Sequence, residues 1–392
     1  MKRFLILFAA LALAACTGDE TIEPPAELVD FQQKAEFRRV WSQDAGDLEP
    51  ALRLGLVPAT DGENVYVANH DGKVQAFSLA DGKRLWEHDT GTFRFWGESQ
   101  AMRFSAGPAV AGGKLVVATL NGDVLMLDAA TGNKRWQENI NGELLAPPLL
   151  ISGLVVVRTT DGRLVALDER TGAQRWDTIR DVPALVIRGH SAPASDGRRI
   201  FAGFDNGKVA ALNIDDGSMI WEATIATPVG ASALESIVDV DGNMVRFAQE
   251  VYATSYNGHA AALAAESGEM LWRRELSSVK TPTVSGGNVF VTDIDSVVHA
   301  YDRLSGTTVW SQNGLRARGL TAPAVFDDLV VVGDFEGYLH FLDVAGGEMR
   351  ARISHGGEPL HAIPLVTGEL LVVLSGDGEL SAYRRTDREE AE

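Results

Sequence analysis

The sequence predicts an all-β protein: an eight-bladed β-propeller of four-stranded antiparallel blades, closed by its own N-terminal strand. Three observations predict it. A tight turn, mostly Asp/Asn-Gly, opens a short apolar run eight times, and most copies continue as Asp-x-x-Thr/Ser-Gly-x-x-x-Trp. Trp41, Trp86, Trp136, Trp176, Trp221, Trp272 and Trp310 follow one another at intervals of 45, 50, 40, 45, 51 and 38 residues, the period of roughly 44 expected when each unit is one sheet of a ring. From Phe37 onward, short β-rich runs alternate with Gly, Asp and Asn turns, and no helical periodicity persists.

The N-terminus reads as a processing signal. Lys2 and Arg3 precede an apolar run from Phe4 to Leu13, too short to cross a bilayer as a stable helix. The run ends Leu13-Ala14-Ala15-Cys16, and Cys16 is the single cysteine of the chain. Small residues before a cysteine resemble the lipobox of bacterial lipoproteins, which implies a signal peptide at 1–15 and acylation of Cys16. Acylation also removes a thiol that would otherwise stand unpaired in an oxidising compartment. Thr17, where Asp would imply retention at the inner membrane, favours the outer membrane by the same resemblance. Residues 16–35 contain Glu-Pro-Pro, scattered acids and few large apolar groups, a composition expected of a flexible tether. The propeller is expected over 36–387, with a charged tail at 388–392.

One copy shows how a blade is built. Ala106 to Val110 gives the inner strand, Lys114 to Thr119 the second, and Asn121-Gly122 turns the chain into Val124–Asp128. Asp128 is placed to accept backbone N–H bonds from the next turn, and Gly132 supplies the left-handed position. Trp136 then fills the space between adjacent blades. Third strands begin at Gly72, Gly122, Gly162, Gly207, Gly258, Ser296, Gly337 and Gly378. Two copies have drifted: the sixth has Asp295-Ser296 in its turn, and the seventh has Ala351 in place of Trp. The eighth runs out of chain soon after Tyr383, while Glu36 to Gln43 is an orphan fourth strand carrying Trp41. That strand is expected to complete the last blade and remove its exposed edge.

Composition and motif content narrow the function. A net charge of −19 opposes binding to nucleic acid or anionic lipid. No nucleophile elbow, zinc-protease helix, dinucleotide fingerprint or phosphate loop is present. No metal and no cofactor is expected. Asp239-Val240-Asp241-Gly242-Asn243, with Glu250 at the twelfth place, imitates a helix–loop–helix calcium site, but Met244 stands where the sharp turn needs Gly and the flanks read as strands. The insertion from Thr92 to Phe104 carries Phe93, Phe95, Trp96 and Phe104. It is either an exposed loop for a partner or client strand, or a lid folded over the blade top.

The Leu-Asp-x-x-Thr-Gly-x-x-x-Trp repeat is similar to that of PQQ-dependent dehydrogenases, an enzymatic alternative; exposed aromatics suggest a cell-wall-binding propeller as another. The lipobox, acidic tether and eight Trp-motif blades together resemble the BamB family of outer-membrane assembly lipoproteins. Segments outside the repeat strengthen the resemblance: Leu185-Val186-Ile187-Arg188-Gly189-His190-Ser191-Ala192-Pro193, Asp239-Val240-Asp241, and Val332-Gly333-Asp334-Phe335-Glu336-Gly337-Tyr338-Leu339-His340. The resemblance implies a non-enzymatic scaffold on the periplasmic side of the outer membrane, a monomer within a hetero-complex. Its implied partner is the POTRA domains of BamA, through which unfolded outer-membrane proteins are helped into place. The family's contact positions map to Leu185, Ile187 and Arg188, and to Asp239 and Asp241; Ile187 departs from the usual Leu but stays apolar. Geometry adds support, since Arg188 follows the fourth strand of one blade and Asp239 that of the next. Such connections share one face of a propeller. The plainer reading leaves Leu185 and Ile187 in an inner strand, with Arg188 paired to an acid within the ring.

Overall fold

The computed structural model describes residues 23–387 apart from 50–53, 92, 95–96, 99–100, 188, 190 and 230–231, and only the backbone at 93–94 and 97–98. Every regular element among the described residues is a β-strand. Eight antiparallel sheets follow one another as the blades of a propeller, and the last joins Leu365–Thr367, Leu370–Leu374 and Glu379–Arg385 to Phe37–Asp44 from the other end of the chain. Blade 2 gains a fifth strand, Gly55–Leu56, paired in parallel with Phe104–Ala111. Second and third strands are buried on both faces, as in Leu154–Arg158 and Arg163–Asp168. Each blade is covered by a neighbour on either side, so these strands read as continuous apolar runs rather than alternating ones.

The repeat works as a lock between neighbouring blades. Asp128 Oδ1 accepts the N–H groups of Ala130 at 3.2 Å and Thr131 at 3.1 Å, which shapes the turn that presents Gly132. Gly132 has φ of 70°, and a Cβ there would sit 2.5 Å from the ring of Trp86, which belongs to the previous blade. The Trp86 indole N–H donates to the carbonyl of Ala129 in that same turn, at 2.9 Å. The arrangement recurs for Trp41 on Gly82, Trp136 on Gly172, Trp176 on Gly217, Trp221 on Gly268, Trp272 on Gly306 and Trp310 on Gly347. The glycine therefore meets two demands, a left-handed backbone and a flat seat for an indole.

Blade 7 departs from the pattern for a structural reason. Its Ala351 is fully buried, and blade 8 has no Thr-Gly turn to receive an indole, because its fourth strand arrives from the N-terminus. Phe37 of that strand takes the space, stacking on Phe341 with centroids 3.9 Å apart. The closing strand runs antiparallel to Glu379–Arg385 from Phe37↔Arg385 to Asp44↔Glu379. Arg39 binds Glu379 at 2.7 Å and the Tyr383 hydroxyl at 3.0 Å.

Residues 23–35 form no strand, yet they are tied to the ring. Arg316 holds Glu23 through two bonds of 3.0 and 2.8 Å, and Ala26 N–H donates to the Arg316 carbonyl at 2.9 Å. The guanidinium of Arg318 reaches the Ala26 carbonyl at 3.0 Å, and that of Arg352 reaches Val29 at 3.2 Å. Phe31 lies 5.2 Å beneath Arg352. Cys16 and the tail at 388–392 lie outside the described residues.

Candidate protein-docking face

In each blade the chain leaves the second and fourth strands at the same end, so those connections share one rim. Three of them converge between blades 3 and 5. The connection after Gln174–Ile179 carries residues 180–193, the one after Met219–Thr224 carries 225–244, and the tight turn after Arg199–Gly203 carries Asp205. The first two lie side by side: Ser191 Oγ donates to the Gly242 carbonyl at 3.0 Å, Ala192 N–H to Asn243 Oδ1 at 2.9 Å, and Met244 N–H to the Ala192 carbonyl at 3.0 Å.

This brings most of the expected contact residues together. Ile187 N–H donates to Asp239 Oδ2 at 2.5 Å. Leu185 belongs to no strand and is 44% exposed, so it does not serve as inner-strand core. Asp239 and Asp241 are both buried. Gly189 packs so closely that a Cβ on it would lie 1.5 Å from Asp241 Oδ1. Arg188 lies outside the described residues. The insertion is split: Phe93–Arg94 pairs with Gly97–Glu98 as a short hairpin, Phe95 and Trp96 lie outside the described residues, and Phe104 is a fully buried member of the first strand of blade 2.

Two residues of this region escape a motif-based reading. Arg158 ends the apolar strand Leu154–Arg158 and forms a buried ion pair of 2.5 Å with Asp205. Its signal was present in the sequence, because the corresponding strands of most other blades end in a small residue: Ala68, Thr119, Gly203, Thr254, Thr292 and Gly333. Asp205 places a second anion beside Asp239 and Asp241. Burial pushes the Asp239 carboxyl up to about 6, with the Ile187 N–H pulling against it and Asp205 adding to it. Burial likewise pushes Asp241 up to about 7, reinforced by the charges of Asp239 and Asp205 and opposed by Arg158. The rim therefore presents an exposed apolar side chain above a sunken cluster of carboxyl groups, a combination suited to gripping a protein surface.

Ring and rim together define a class: the eight-bladed propeller scaffold built from PQQ-like repeats. The family profile described as outer membrane protein assembly factor BamB matches residues 27–94, 89–312 and 294–391. An outer membrane protein assembly factor BamB of Xanthomonas campestris pv. campestris is 39% identical, the alignment covering 97% of this chain and 96% of that one. The chain belongs to the BamB family. The crystal structure of BamB from Moraxella catarrhalis superposes with a TM-score of 0.78 at 26% identity, over 89% of this chain and all of that one. A quinohemoprotein alcohol dehydrogenase from Comamonas testosteroni matches with a TM-score of 0.66 at 14% identity, over 89% of this chain and 76% of that one. That likeness shows a shared fold and carries no activity with it.

Proposed function

We propose that this chain is a non-enzymatic assembly factor of the outer membrane, anchored by a lipid on Cys16 and facing the periplasm. It docks onto the POTRA domains of BamA and so aids insertion of outer-membrane proteins. The rim formed by Leu185, Ile187 and Arg188 with Asp239 and Asp241 is the docking face. The observation that carries this reading is the bond from Ile187 N–H to Asp239 Oδ2, which joins two segments 52 residues apart into one surface with Leu185 exposed beside them. Family membership supports it.

Arg188→Glu reverses the charge of the one cation among the expected contact residues, next in sequence to Ile187. It is expected to abolish co-purification with BamA from envelope membranes while the far-ultraviolet spectrum and melting profile stay those of a folded ring. Co-purification at wild-type strength would refute this site.

A further inference from the structure

We infer that Asp205, Asp239 and Asp241 form a binding site for one divalent calcium ion, buried against Ile187 and Gly189. One carboxylate oxygen from each residue lies within 4.8 Å of the others. Oxygens that share a calcium ion at ~2.3–2.6 Å stand at most about 5 Å apart, so the three lie within the span of one coordination shell. The donor set is oxygen only, which suits a hard cation and not zinc or copper.

A second observation points to a ligand. Asp241 is 4% exposed, and among the described residues neither of its oxygens has a hydrogen-bond partner; Asp239 Oδ1 has none either. Because both Asp241 oxygens are orphaned, the one that faces Asp239 and Asp205 across less than 4.8 Å is unpartnered. Leaving ionised carboxylates unpaired in the interior costs several kcal/mol each, so native structures rarely keep them. Arg158 is the one cation within the cluster among the described residues, and it is committed to Asp205 at 2.5 Å. Three carboxylates and one guanidinium leave a formal charge of −2, which a divalent ion neutralises. This site is not the imitation calcium loop of 239–250, because Asp205 comes from a different blade and Glu250 is occupied by Arg303 at 2.6 Å.

The ion would also brace the rim, since Asp239 holds Ile187 and Asp241 lies against Gly189. The inference does not depend on the proposed partner, because binding is read on the isolated protein. Full-length mature protein in detergent is stripped with chelator at pH 7.5, dialysed against calcium chloride, and assayed for bound calcium by atomic emission. Titration calorimetry and thermal melting follow. The expected result is one calcium per chain, a Kd in the range of ~10⁻⁴–10⁻³ M, and a melting temperature that rises with calcium. Asp241→Asn should weaken uptake more than about tenfold and abolish the calcium-dependent rise. No saturable uptake by the wild type would mean that protons or a neighbouring cationic side chain neutralise the cluster, and would overturn the inference. Undiminished uptake by Asp241→Asn would do the same. If Asp241→Asn does not fold, the wild-type stoichiometry alone decides.

Discussion

Replacing Trp41 with Ala is expected to lower the unfolding free energy by about 3–5 kcal/mol, the range for deleting a buried Trp. Three losses contribute. The side chain is 7% exposed and packs on Gly82 of blade 1, so its removal opens a void at the seam where the ring closes. Its indole N–H satisfies the Leu79 carbonyl at 2.8 Å, and that acceptor is left without its partner. The strand that carries it is also the seal of blade 8, paired along Glu379–Arg385. Denaturant unfolding followed by fluorescence measures the first two. Limited proteolysis measures the third, because a loosened Phe37–Asp44 should be cut before any interior blade. Trp176→Ala removes the same chemistry from an interior seam, with an indole bond to Ile214 of 2.9 Å. It should lose comparable stability without exposing the terminal strand. A Trp41→Ala loss below about 1 kcal/mol, no more than an average substitution, would mean that the seam does not hold the ring.

The second large effect is expected of Arg318→Met, about 3–5 kcal/mol destabilising. Arg318 is 3% exposed; its Nε donates to Asp334 at 2.8 Å, and it also binds Glu336 and the Ala26 carbonyl. Asp334 has no solvent exposure and shares its Oδ2 with His340 Nε2 at 2.9 Å. Methionine keeps much of the volume but leaves that carboxylate without the guanidinium that balances its charge, and the cost of a poorly compensated buried charge dominates. Acid should attack the same cluster. Burial lowers His340 below its ordinary value and keeps it neutral, so the unfolded chain takes up the proton first as pH falls below about 6.5. Burial works to raise Asp334, but His340, the Tyr338 N–H and Arg318 outweigh it and hold the group below the usual carboxylate range. Both shifts make stability fall on acidification: the histidine's between its unfolded and lower folded values, the aspartate's only below its unfolded value. The expected result is a shallower decline between pH 7 and 5 for His340→Gln than for the wild type, measured by chemical denaturation at each pH. Asp239 and Asp241 contribute the opposite slope in both proteins, so the difference between the curves isolates the histidine.

The blade count, the inter-blade tryptophans and the closing strand were legible because each rests on local chemistry: a turn that needs Gly, a run that must be buried, an orphan strand that must pair. The second duty of Gly132 was not legible, since its contact with Trp86 is set by the neighbouring blade. Nor was Phe37 as the stand-in for a tryptophan at Ala351, because the two ends of the chain meet only after the ring closes. At the rim, the nearness of residues 187 and 239 followed from counting strands. The depth of Asp239 and Asp241, and the addition of Arg158 and Asp205, did not. A sequence shows that acids are present but not how far below the surface the packing sets them. Residues 23–35 have the composition of slack chain, yet paired arginines on blades 6 and 7 hold them in place.

That mooring has a bearing on how the molecule would stand above a bilayer. With Cys16 acylated, the chain from Cys16 to Glu23 can extend at most ~25 Å, and Glu23 is fastened to Arg316. The corner between blades 6 and 7 would then be leashed close to the lipid headgroups. Arg316 belongs to the same rim as the connection that carries Leu185 and Ile187, three blades further round. A partner seated on that segment would work in the shallow space between ring and membrane, where an emerging barrel has to be received.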